Sequence, residues 1–139
     1  MAKVLLATDA DWLYDEIDAT LGADHQVFRV REGANVPEAM TEVDPELVIL
    51  DLQIGNMGGM ATSLLVKQEA REGRLPDAPV LMLLDRAVDE FLATQSEADA
   101  WVVKPLDSFG LRRTAKELID TAAAAAAAHD ESVMLESSE

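Results

Sequence analysis

The chain has 139 residues, 49% hydrophobic and 27% charged, the proportions of a single globular domain. It contains no cysteine, which excludes disulfides, thiolate metal sites and cysteine nucleophiles. Eleven basic residues against 27 acidic ones give a net charge of −16, which argues against direct contact with DNA or RNA, because phosphate binding draws on Lys and Arg.

The segment Lys3–Thr8 (KVLLAT) opens the chain as a short apolar run and predicts a first strand. It is too short for the core of a signal peptide, and no apolar run approaches a membrane span, so a cytoplasmic location is expected. A helix follows. Asp11 is its expected N-cap and Gly22 its stop, with Trp12, Leu13, Ile17 and Leu21 on one apolar face. His25–Val30 (HQVFRV) predicts the second strand, and Pro37 opens a second helix that runs to about Val43. Leu47–Leu50 (LVIL) is continuous and apolar, as a strand buried on both faces should be. Met60–Arg71 predicts the third helix, stopped by Gly73. Val80–Leu84 is the fourth strand, Val88–Ser96 a short fourth helix, and Ala100–Val103 the fifth strand. Asp107 or Ser108 caps a fifth helix with Phe109, Leu111, Leu118 and Ile119 as inward positions.

Strands alternating with helices predict an α/β fold, a doubly wound parallel sheet of five strands covered by five helices. The alternation occupies residues 1–121. Residues 122–139 are expected to be an Ala-rich extension of the last helix, Ala122–Ala128, followed by an acidic disordered tail from His129.

Ligands of open parallel sheets sit outside the carboxyl ends of the strands. Thr8-Asp9 follows the first strand, Asp51 the third, Leu84-Asp85 ends the fourth, and Lys104-Pro105 follows the fifth. Carboxylates converging with one ammonium suit phosphoryl transfer assisted by Mg²⁺, a hard cation that takes oxygen ligands. Asp9 and Asp51 offer carboxylates, the backbone carbonyl of Gln53 a third oxygen, and Asp51 a nucleophile. A nucleotide- or flavin-binding reading is disfavoured, because the turn TDAD would repel phosphate.

With these residues in place, the chain resembles the receiver domain of bacterial two-component response regulators, and is similar to the single-domain chemotaxis type. The segments KVLLATDAD, PELVILDLQIGNMGG, APVLMLL and DAWVVKPLD carry the resemblance in order and spacing, over about Lys3 to Thr121. It implies a flavodoxin-like fold with strand order 2-1-3-4-5. It further implies that Asp51 is the phosphoacceptor and Lys104 the lysine that contacts the phosphoryl group. Asp9, Asp51 and the Gln53 carbonyl are the implied metal ligands, Leu84 and Trp101 occupy the switch positions, and Lys104–Pro105 is the implied cis peptide. The implied partners are a histidine kinase or phosphotransfer protein and a downstream protein target. A homodimer through the face of the fourth helix, fifth strand and fifth helix is a further expectation. With no output domain in the chain, it is expected to act alone as a phosphoacceptor protein, not as an enzyme beyond self-catalysed phosphorylation and dephosphorylation.

Several positions depart from the pattern. Thr8 stands where a second acid is usual, which lowers the expected Mg²⁺ affinity. Leu84 replaces a Ser or Thr and has no donor for a phosphoryl oxygen, so coupling to Trp101 should be weak. Asp85 either repels a phosphoryl group or replaces the acid missing at Thr8. Gly55 and Gly58 make the loop after Asp51 Gly-rich, with more freedom to lose on ordering. The same departures support an alternative, a phosphorylation-independent pseudo-receiver that works as a protein interaction module.

Overall fold

The computed structural model describes residues 1–137. Five parallel strands, β1 (Ala2–Ala7), β2 (His25–Val30), β3 (Leu47–Asp51), β4 (Val80–Leu84) and β5 (Ala100–Val103), form one sheet in the order β2-β1-β3-β4-β5. Helices α1 (Asp11–Leu21), α2 (Val36–Val43), α3 (Gly59–Arg71), α4 (Glu90–Gln95) and α5 (Ser108–Ser137) connect or follow them. This is the doubly wound, flavodoxin-like arrangement expected from the alternation and the resemblance. Parallel strands need crossovers, and the crossover helices cover both faces of the sheet.

Each face has its own core. Leu5, Val48, Leu50, Met82 and Leu84 meet Val36, Met40 and Val66 on one side. Leu6, Ile49, Leu81 and Leu83 meet Leu13, Ile17, Leu21, Leu111 and Ala115 on the other. β3 and β4 are buried at every position, which is why their sequences are unbroken apolar runs up to the charged ends.

Several local expectations are corrected. Asp11 is the first residue of α1 and not its cap; Ala10 precedes the helix, and the Thr8 hydroxyl accepts the Ala10 N–H at 3.1 Å. Trp12 is 58% exposed, outside the apolar face on which Leu13, Ile17 and Leu21 lie buried. Phe109 is likewise 72% exposed, because it sits in the first turn of α5, before the helix meets the sheet at Leu111. Asp107 caps α5 by accepting the N–H groups of Phe109 and Gly110, each at 3.2 Å. Gly73 stops the chain after α3 with φ +77°, a left-handed conformation that favours glycine.

α5 runs unbroken across residue 121 and continues as helix through Ser137, where a disordered tail was expected from His129. A helix already nucleated on the domain propagates at low cost through an alanine run. Residues 138 and 139 lie outside the described residues. Among the described residues no helix is long and apolar enough to cross a membrane.

Candidate phosphoacceptor site at the carboxyl edge of the sheet

Asp51 is the last residue of β3, and its side chain is only 4% exposed. A carboxylate buried to this degree requires partners on both oxygens, and both have them. Oδ1 accepts from Lys104 Nζ at 2.9 Å and from the Gln53 N–H at 3.2 Å. Oδ2 accepts from the Thr8 hydroxyl at 2.9 Å. Thr8 is fully buried, and its hydroxyl also accepts from Ala10 N–H, so it is committed within the protein.

Lys104 follows β5, and its backbone N–H donates to the Leu84 carbonyl at 2.7 Å. The register Leu84↔Val103 therefore continues one step, to Asp85 beside Lys104. Their side chains meet: Lys104 Nζ lies 2.8 Å from Asp85 Oδ1. Burial alone would push the Lys104 pKa down; the hydrogen bonds to Asp85 and then Asp51 outweigh it, and the pKa is raised. The Lys104–Pro105 bond is cis.

Asp9 is exposed, and its Oδ2 accepts the Gly55 N–H at 3.4 Å. Among the described residues no three His, Cys, Asp or Glu side chains gather as a metal cluster. Asp9 and Asp51 fit Mg²⁺, a hard cation that takes one or two carboxylates and keeps several waters. Asp85 adds no third carboxylate to them; its Oδ1 accepts from Lys104.

The loop after Asp51 is held at several points despite its glycines. Gly33 N–H donates to the Gly55 carbonyl at 3.2 Å, and Ala34 N–H to the Asn56 carbonyl at 2.9 Å. The Thr62 hydroxyl donates to the Met57 carbonyl at 3.1 Å, and Asn56 Nδ2 to Glu32 at 2.9 Å. Asn56 and Met57 take positive φ, 51° and 77°. Gly59 lets α3 start directly against the site, since a Cβ there would come within 2.7 Å of the Asp51 carbonyl oxygen.

Leu84 is fully buried in the core that contains Met82, and Trp101, which pairs with Met82 across the β4–β5 ladder, packs on that same core. The sheet thus brings Asp51, Lys104, Asp85 and Thr8 into one bonded network, with Asp9 tied to the adjoining loop. Leu84 and Trp101 lie together in the apolar layer beside it.

Two participants escaped the sequence reading. The first is the Lys104–Asp85 pair, which the register of two parallel strands could have revealed. The second is Arg29, whose Nε donates to the Thr8 carbonyl at 3.1 Å while Nη1 bonds Asp11 at 2.8 Å and the guanidinium lies 5.2 Å from the Tyr14 ring centre. Hydrogen bonds from Arg29 and then Arg31 lower the Asp11 pKa. A basic residue near the end of β2 faces the acidic turn after β1 because the two strands are paired, Ala7 with Val30.

No family model matches the chain. The sensory transduction protein BceR of Halalkalibacterium halodurans is 29% identical over 108 residues, 76% of this chain and 44% of that protein. The aerobic respiration control protein ArcA of Escherichia coli is 30% identical over 95 residues, 68% of this chain and 38% of that protein. The response regulator protein VraR of Staphylococcus epidermidis is 28% identical, over 73% of this chain and 49% of that protein. The chain therefore spans less than half the length of these relatives. Among solved structures, the chemotaxis protein CheY4 of Vibrio cholerae superposes with a TM-score of 0.74 at 22% identity, covering 85% of this chain and 98% of that one. The receiver domain of the sensor histidine kinase PA1611 of Pseudomonas aeruginosa, with a magnesium ion coordinated in its active-site cleft, gives 0.76 at 18% identity, covering 86% and 98%. With this fold and these relatives, the chain is a receiver domain related to those of two-component response regulators.

Proposed function

We propose that the chain is an atypical response regulator of a phosphorelay. It accepts a phosphoryl group on Asp51 from a histidine kinase or phosphotransfer protein and signals through protein–protein contacts. The observation that carries this reading is the buried Asp51 carboxylate at a strand end with Lys104 Nζ at 2.9 Å. A carboxylate oxygen of Asp51 attacks the phosphorus of the donor phosphohistidine. The P–N bond breaks, and the imidazole leaves with the electron pair. The Lys104 ammonium neutralises charge on the transferred group. Asp9, Asp51 and the Gln53 carbonyl would hold Mg²⁺, which when bound offsets negative charge on the phosphoryl oxygens. The protein is then a stoichiometric phosphoacceptor and not a turnover enzyme. A net charge of −16 supports protein partners over nucleic acid, and a cytoplasmic location goes with this role. The exposed Val88, Phe91 and Phe109 support the face of α4, β5 and α5 as the contact for a downstream target or a second copy, with the Ala-rich part of α5, residues 122–128, enlarging it.

A second reading, the phosphorylation-independent interaction module, is favoured by one pair of observations: the Thr8 hydroxyl already occupies Asp51 Oδ2, and Leu84 offers no donor. Intact mass after incubation with acetyl phosphate and Mg²⁺ separates the two. The first reading expects a base-labile gain of one phosphoryl group that is absent in Asp51→Asn. No gain in the folded protein, with partner binding unchanged by Asp51→Asn, would favour the second.

A further inference from the structure

Lys104 has three N–H donors, and two are committed to carboxylates, Asp51 at 2.9 Å and Asp85 at 2.8 Å. The Lys104 side chain is 12% exposed and that of Asp85 39%, against 4% for Asp51, so the lysine links a buried carboxylate to an exposed one. The continued β4–β5 register and the hydrogen bond from Lys104 N–H to the Leu84 carbonyl hold the two backbones side by side. We infer that Asp85 is a positioning residue: it holds the Lys104 ammonium and competes for it with an incoming phosphoryl group. A phosphoryl group on Asp51 brings anionic oxygens to the same ammonium, and these meet a carboxylate already bonded to it. Competition for the donor and like-charge repulsion act in the same direction. The consequence for phosphoryl transfer rests on Asp51 being the acceptor, as proposed above.

The test compares the full chain with Asp85→Asn, which keeps the size and removes the charge, and Asp85→Glu, which restores the charge. Asp51→Asn serves as the blank. In one arm, label is followed from acetyl phosphate with Mg²⁺: an Asp51 oxygen attacks phosphorus, the bond to the acetyl oxygen breaks, and acetate leaves. In the other arm, inorganic phosphate without metal is titrated while the Lys104 side-chain NMR signals are followed. Asp85→Asn should raise the initial labelling rate and the phosphate affinity about five-fold or more, the effect of one unit charge at contact distance in high dielectric. Asp85→Glu should stay near the parent, an outcome that a purely steric role for the site would not give. If all three proteins label at one rate and bind phosphate equally, the inference about Asp85 is overturned and the acceptor reading stands. If none labels yet phosphate binds more tightly to Asp85→Asn, the acceptor reading fails and the role of Asp85 stands.

Discussion

On the β1–β3 side of the carboxyl edge, polar groups are buried and bonded. Asp51 has a partner on each oxygen, and Thr8 joins the two strand ends through one hydroxyl. On the β4–β5 side, the corresponding strand end is apolar. Leu84 is fully buried, and Trp101 packs on the same core. Lys104 and Asp85 form the seam between the two sides. One sheet edge can thus keep the groups that would accept a phosphoryl group while lacking a polar link to the aromatic residue that would report it. On the proposed reading, accepting would draw on the bonded polar groups and signalling on the apolar pair Leu84 and Trp101, so substitutions should alter the two separately.

The largest expected effect comes from breaking the apolar side. Leu84→Thr removes buried methyl groups and should cost about 2–3 kcal/mol of stability, read from urea unfolding. The new hydroxyl should also make Trp101 fluorescence respond to acetyl phosphate and Mg²⁺ in a Trp12→Phe background. No response from a folded Leu84→Thr protein would show that the missing donor is not what separates the two sides.

Lys104→Met strips the ammonium from a buried carboxylate. Stability should fall by about 1–3 kcal/mol, and combining it with Asp51→Asn should recover part of the loss. Additive losses in that double variant would mean that the 2.9 Å pair is not energetically coupled.

Thr8→Asp restores a third acid. Mg²⁺ affinity by calorimetry should rise several-fold, with lower stability without metal, because a second buried charge then faces Asp51. Equal Mg²⁺ affinity would show that the number of carboxylates does not limit the site.

The smallest effect is alkaline. The Lys104 pKa is raised in the folded protein, so its stabilising contribution is complete below the ordinary lysine value and is lost as pH rises through the higher folded value. Unfolding midpoints across that range should fall more steeply for the parent than for Lys104→Met. Parallel curves would contradict the assignment.

Much of this was legible in the sequence, for physical reasons that differ by element. β3 and β4 read clearly because burial on both faces leaves unbroken apolar runs, LVIL and VLMLL, ending at Asp51 and Asp85. Trp12 misled because it lies off the helix face that buries Leu13, Ile17 and Leu21, and Phe109 because it precedes Leu111, where α5 meets the core. The Thr8–Asp51 and Lys104–Asp85 bonds span 43 and 19 residues, and only strand order and register bring those pairs together. The loop from Gly55 to Gly58 reads as flexible from composition, but its restraints come from Gly33, Ala34 and Glu32 beyond β2.

The central claim, that Asp51 is the residue that takes the phosphoryl group, is tested most directly by reducing acetyl-phosphate-treated protein with borohydride and mapping the peptides by mass. An aspartyl phosphate is reduced to homoserine, so that mass change is expected at residue 51 alone. Modification at Asp9 or Asp85, or an unmodified Asp51 in protein shown to be folded, would contradict it.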